Sequence, residues 1–98
     1  MPKLTPATFA VFQLVRHLAA DSSRIVILDH CRKRMLSRRV TRRQIELCLQ
    51  KGTISEGPVR NPRGNWQMNL YRHAAGEELT CTVAFESGNN RLVVITVF

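Results

Sequence analysis

The sequence has no Cys-x-x-Cys pair, no internal repeat, no low-complexity tract and no apolar run long enough to cross a bilayer. Each absence narrows the field. The three cysteines, Cys31, Cys48 and Cys81, are odd in number and widely spaced, which argues against a disulfide framework and a structural zinc site. Each sits among apolar residues, so buried thiols are expected. The apolar segment ATFAVFQLVRHLAA is interrupted by Gln13, Arg16 and His17, and no cleavage site follows it. It reads as a domain helix and not as a signal peptide. The expectation is a single domain over residues 1–98, cytoplasmic and with no membrane partner. Acidic residues are scarce too: 7 Asp and Glu face 15 Lys and Arg, for a net charge of +8. That excess on 98 residues attracts polyanions, among them RNA, DNA, anionic lipid and acidic protein. A hydrophobic fraction of 44% supports one modest core.

Local patterns give the order α, β, α, α, β, β, β, β. Thr5-Pro6 starts a helix that ends near Asp21, with Phe9, Phe12, Val15 and Leu18/Ala19 at helical spacing. Arg24 to Leu28 is a short β-branched run, read as a strand covered on both faces. A second helix runs from about Asp29, its candidate cap, to Ser37. Thr41 and Gln44 form a capping box for a third, and Gly52 suits a left-handed end for it. The period then changes from 3.6 to 2. Thr53 to Arg60 is a strand that Pro58 assigns to an edge. Trp66, Met68 and Leu70, then Leu79, Cys81, Val83 and Phe85, alternate with polar residues, and Ser87 to Asn90 is a hairpin turn. The fold class is α+β: N-terminal helices on a twisted antiparallel sheet of four to five strands. Its other face carries Gln67, Asn69, Tyr71, Thr80 and Thr82.

The charge concentrates in DHCRKRMLSRRVTRR, residues 29 to 43, which holds Arg32, Lys33, Arg34, Arg38, Arg39, Arg42 and Arg43. His30, Arg34 and Arg38 fall at i, i+4 and i+8 on one side of the second helix. His30-Cys-Arg-Lys-Arg34-Met35-Leu-Ser-Arg38-Arg-Val40-Thr41, then Ile45, Leu49, Gly52-Thr-Ile54 and the terminal Val94-Ile-Thr-Val-Phe98, resembles the domain-of-unknown-function family 4258. Members typically show a His-Ala pair, then Arg-Met, then Arg-Gly-Ile-Ser, then a helix ending in Gly. The resemblance covers roughly residues 24 to 98 and leaves residues 1–22 as an extra N-terminal helix. It departs at Cys31, in place of Ala, and at Arg39, in place of Gly. It implies a RelE/ParE-like fold of the barnase- and colicin-type nuclease group, a bacterial toxin–antitoxin context and metal-independent RNA cleavage.

Such cleavage needs a base for the 2′-hydroxyl, cationic support for the phosphate and a proton for the leaving 5′-oxygen. Surrounding cations disfavour the imidazolium, so His30 is the candidate base. Arg34 and Arg38 are the candidate phosphate contacts, because a guanidinium fork meets two oxygens at once. Arg32, Lys33, Arg39, Arg42 and Arg43 supply polyanion attraction; the last two begin a helix, where an anion is favoured. Arg60 and Arg72 are read as closing the groove from strand ends, and Tyr71 as a stacking or hydrogen-bonding side chain. Thr96 is singled out by the resemblance alone. No cofactor or metal is called for. No second histidine or spaced carboxylate pair completes the set, and Glu56 and Glu86 are unsupported partners. Three readings stay open: a toxin-type domain that binds RNA and cleaves it, free or ribosome-bound; a non-catalytic nucleic-acid-binding module; and a protein-interaction domain of antitoxin or immunity type. A neutralising protein partner and a homodimer through the first helix are further expectations.

Overall fold

The computed structural model describes residues 3–98. Helix α1 spans Pro6–Ala19. Its start is fixed by Thr5, whose hydroxyl accepts from Thr8 N at 3.1 Å while Thr8 Oγ1 accepts from Thr5 N at 2.8 Å. Val11, Phe12, Val15 and Ala19 form its buried face. Phe9, expected on that face, is 50% exposed, and Leu14 is 47% exposed. Arg16, lying over the Phe12 ring of the same helix at 4.7 Å, fastens α1 to the chain around residue 51 by donating to the carbonyls of Gln50 and Gly52.

Strand β1 spans Ile25–Ile27, and helix α2 follows at Asp29–Arg38. Asp29 is not the cap. Leu28 holds that position with no side-chain bond, and Asp29 is the first helical residue, where its charge suits the helix dipole. The helix stops at Arg39, which adopts the left-handed conformation (φ 56, ψ 42). Helix α3, Arg42–Lys51, begins with the expected box: Thr41 Oγ1 accepts from Gln44 N at 3.2 Å, and Gln44 Oε1 accepts from Thr41 N at 2.8 Å.

Four strands complete the chain: β2 Thr53–Arg60, β3 Trp66–Ala74, β4 Glu77–Glu86 and β5 Arg91–Val97. The sheet order is β1-β5-β4-β3-β2. Strands β2 to β5 are antiparallel neighbours, but β1 pairs parallel to β5, with Ile25 opposite Leu92 and Ile27 opposite Val94. The sheet is therefore mixed. Two helices carry the chain from β1 over one face to the far edge, and the meander then returns with β5 running in the direction of β1. β2 is an edge strand interrupted by register shifts, in keeping with Pro58.

All three helices pack on the sheet face built from Met68, Leu70, Cys81, Val83, Phe85, Leu92, Val94 and Val97. The thiols of Cys31, Cys48 and Cys81 are free and buried in this core. The opposite face combines the buried Ala84 and Val93 with polar side chains that bond to one another. Asn69 Nδ2 donates to Glu56 at 3.2 Å, Thr82 Oγ1 donates to Asn69 Oδ1 at 2.7 Å, and Thr96 stands opposite Thr82.

Gly52 is required for a reason other than handedness. Its backbone is extended (φ -69, ψ 169). A Cβ there would stand 2.5 Å from the Cys48 carbonyl oxygen and 2.7 Å from that of Tyr71, both backbone atoms that cannot yield cheaply. The Gly52→Ala variant should therefore lose about 2 kcal/mol or more in urea denaturation. Gly88→Ala, where no atom lies within 4 Å, should stay within about 0.5 kcal/mol of the parent.

Candidate nucleic-acid interface

Helix α2 buries only Cys31, with Met35 half-buried beside it. The sequence DHCRKRMLSR offers no other core-facing apolar side chain, because Leu36 is 82% exposed. The helix is held by the sheet edge as much as by the core. β1 covers three residues of β5, and beyond it Leu28 N donates to Val94 O at 3.3 Å and Arg34 Nε to Val97 O at 3.4 Å. This docking turns His30, Arg34 and Arg38 along one exposed stripe, each about 6 Å further along the axis.

The cations of residues 29 to 43 divide into two groups. Among the described residues, Arg32, Lys33, Arg34, Arg38 and Arg39 have no carboxylate partner. Arg42 is committed elsewhere. Its Nε meets Glu46 Oε2 at 3.0 Å, and its other arm donates to Ser22 O at 2.9 Å and Ile25 O at 2.8 Å. It ties the start of α3 to β1, so it is a structural clasp and not a free anion ligand. The Ser22 hydroxyl, at 2.6 Å, and the Arg42 guanidinium together hold the Glu46 carboxyl below its usual range. Arg43 remains largely exposed, 3.9 Å from the same carboxylate.

The remaining candidates are scattered. Arg60 lies over the Trp66 ring at 4.4 Å and donates to Gly64 O at 2.7 Å, at the β2–β3 hairpin. Arg72 stands at the other end of β3, six residues and about 20 Å along the strand, so the two cannot close one groove. Tyr71 donates its hydroxyl to Glu78 Oε1 at 2.9 Å, and that bond to a carboxylate pushes its pKa up and keeps the phenol neutral. Thr96 belongs to the helix-free sheet face, whereas the basic stripe lies on α2. The His30 imidazole makes no hydrogen bond among the described residues. Glu86 pairs with Arg91, and Glu56 is engaged by Asn69.

One feature escapes the sequence pattern. The β3–β4 turn is only Ala75-Gly76, both at positive φ (54 and 78), so the strands run further than a turn over residues 73–77 would allow. The extended hairpin faces the end of α2 and forms an open groove of about 610 Å³. Arg38, Arg39, Gln44, Arg72, Glu77 and Glu78 supply its polar lining, with Val40 and Leu79 among the apolar residues.

Residues 27–98 match the family described as Domain of unknown function (DUF4258). The chain belongs to that family. No curated protein and no solved structure matches it. Helix α1 lies outside the matched DUF4258 region, which takes in α2, α3 and strands β2 to β5. No helix of the described residues is long and apolar enough to cross a membrane. Within this DUF4258 domain Arg39 occupies the left-handed position between α2 and α3, where a side chain costs about 1–2 kcal/mol.

Two substitutions separate scaffold from surface. Arg39→Gly should raise stability by about 1 kcal/mol in chemical denaturation, because glycine adopts that φ without strain. Arg42→Ala should lower it by about 1–3 kcal/mol, because it removes one donor each from the Ser22 carbonyl, the Ile25 carbonyl and Glu46.

Proposed function

We propose that this DUF4258 domain is an RNA-binding, toxin-type domain of the RelE/ParE kind, and that it cleaves RNA without a metal. The observation that carries the reading is the uncompensated charge of α2 and its end: among the described residues, four cations on the helix and Arg39 just beyond it have no carboxylate partner, set around an exposed histidine on a helix docked to a sheet edge. Cations that served only solubility would scatter. Here they crowd one helix, where mutual repulsion is a cost that a bound polyanion removes.

In the proposed reaction the RNA backbone lies along the stripe of His30, Arg34 and Arg38. The neutral imidazole of His30 takes the proton of the 2′-hydroxyl as that oxygen bonds to the adjacent phosphorus. Arg34 and Arg38 hold the phosphate oxygens as negative charge grows on them. The bond from phosphorus to the 5′-oxygen breaks, and the leaving oxygen takes a proton from water. The products are a 2′,3′-cyclic phosphate and a 5′-hydroxyl. Arg32, Lys33, Arg39 and Arg43 attract and steer the strand.

One observation favours a second reading, a binding module with no chemistry. His30 has no hydrogen-bonding partner among the described residues, whereas a catalytic base is ordinarily oriented by a third group. Labelled RNA incubated in EDTA, with and without ribosomes, decides between them. The catalytic reading expects His30→Ala to lose cleavage by about 100-fold or more while RNA affinity stays within about twofold. Binding without cleavage by the parent protein in either condition selects the module, and failure to bind RNA rejects both readings.

A further inference from the structure

The groove between the end of α2 and the β3–β4 hairpin carries unlike charges that do not neutralise one another. Arg38, Arg39 and Arg72 line it together with Glu77 and Glu78. Among the described residues, none of these three guanidinium groups donates a hydrogen bond or pairs with a carboxylate. The two carboxylates are anchored instead to neutral donors. Gln44 Nε2 donates to Glu77 Oε2 at 3.3 Å, and the Tyr71 hydroxyl donates to Glu78 Oε1 at 2.9 Å. Each carboxylate keeps its second oxygen without a protein donor. Strand alternation places Glu77 on the helix side of the sheet with Arg72 and Glu78 on the opposite face with Tyr71, and the guanidiniums remain unspent.

We propose that this groove is a nucleotide subsite that takes a nucleoside phosphate whose base carries an exocyclic amino group. The inference rests on the RNA-binding reading only for its register with the stripe. Arg38 belongs to both the stripe and the groove, so a strand lying along α2 delivers its next nucleotide there. The three arginines meet the phosphate. The free oxygen of Glu77, which shares the helix side of the sheet with Arg72 and Leu79, accepts from an amino proton on the base edge, and Val40 and Leu79 offer apolar surface to the ring. Cytosine, adenine and guanine carry such an amino group, whereas uracil presents a carbonyl oxygen where cytosine has its amino group. A carboxylate facing that carbonyl is repulsive, so the groove discriminates against uridine. The volume of about 610 Å³ suits one nucleotide and falls within the range of small-molecule sites.

The test is an NMR titration of the full chain with CMP, UMP and ribose 5-phosphate, following the backbone amides of Ala74, Ala75 and Leu79. CMP should move these amides with a dissociation constant about tenfold below that of UMP. In the Glu77→Gln variant the preference should fall towards one, with ribose 5-phosphate binding retained. Arg72→Ala should weaken all three ligands. Equal binding of CMP, UMP and ribose 5-phosphate would reduce the groove to an anion site and overturn the proposal, as would a groove that none of them shifts. RNA that still binds through α2 while the groove stays silent sinks the subsite alone. Loss of RNA binding with CMP preference intact would instead sink the wider reading and leave the subsite standing.

Discussion

The outer edge of β5 has to be satisfied along its whole length, and β1 is too short to do it. Three residues of β1 pair with Leu92, Val93 and Val94. Past that point the strand would present open carbonyls to solvent, the usual liability of a sheet edge. The chain meets this demand by turning at Leu28 straight into α2, which lays Arg34 against the Val97 carbonyl. A helix with one fully buried side chain has little hydrophobic reason to dock anywhere. Its position follows from edge cover, from Cys31 in the core and from the connection to α3. The consequence is functional. Because so little of α2 is committed to packing, nearly all of its surface is free to carry charge.

The partition of the arginines follows from geometry rather than from number. Arg42 sits where the carbonyls of Ser22 and Ile25 converge with Glu46, and a planar fork can satisfy all three at once. Arg16 does the equivalent at the other end of α3, closing the Gln50 and Gly52 carbonyls. Arg60 spreads over Trp66. These three hold the scaffold. Among the described residues the cations of α2 meet no carboxylate, and only Arg34 reaches a carbonyl, that of Val97; Arg72 has no carboxylate partner, and Glu78, bonded to Tyr71, lies on the other face of the sheet. A protein with more than twice as many basic as acidic residues can spend some guanidiniums on structure and still present a uniform basic face.

Much of this was legible in the sequence because it depends on local chemistry. The Thr5–Thr8 and Thr41–Gln44 caps bound two helices, and alternation in Met68, Leu70, Cys81 and Val83 gave the core face of the sheet. The parallel β1–β5 pair was not legible, since three apolar residues contain no information about direction. Gly52 read as a left-handed helix end, but its backbone is extended; the need for glycine comes from crowding by the Cys48 carbonyl and by that of Tyr71, distant in sequence. Among the site residues, the stripe of His30, Arg34 and Arg38 follows from helical spacing. The fate of Arg42 does not, because two of its acceptors lie about twenty residues earlier in the chain. The groove was invisible for the same reason. It forms only when the β3–β4 hairpin, with its two-residue Ala75-Gly76 turn, reaches the end of α2.

Helix α2 carries cations with no carboxylate partner among the described residues, and a nucleic-acid backbone is the partner we propose for them. The most direct measurement is the affinity for a short single-stranded RNA across a range of salt concentrations. Five cations without carboxylate partners among the described residues, four on α2 and Arg39 at its end, predict that log K falls against log salt with a slope of about −3.5. A flat dependence, or no measurable binding at low salt, would contradict the account and leave the basic helix to a partner other than RNA.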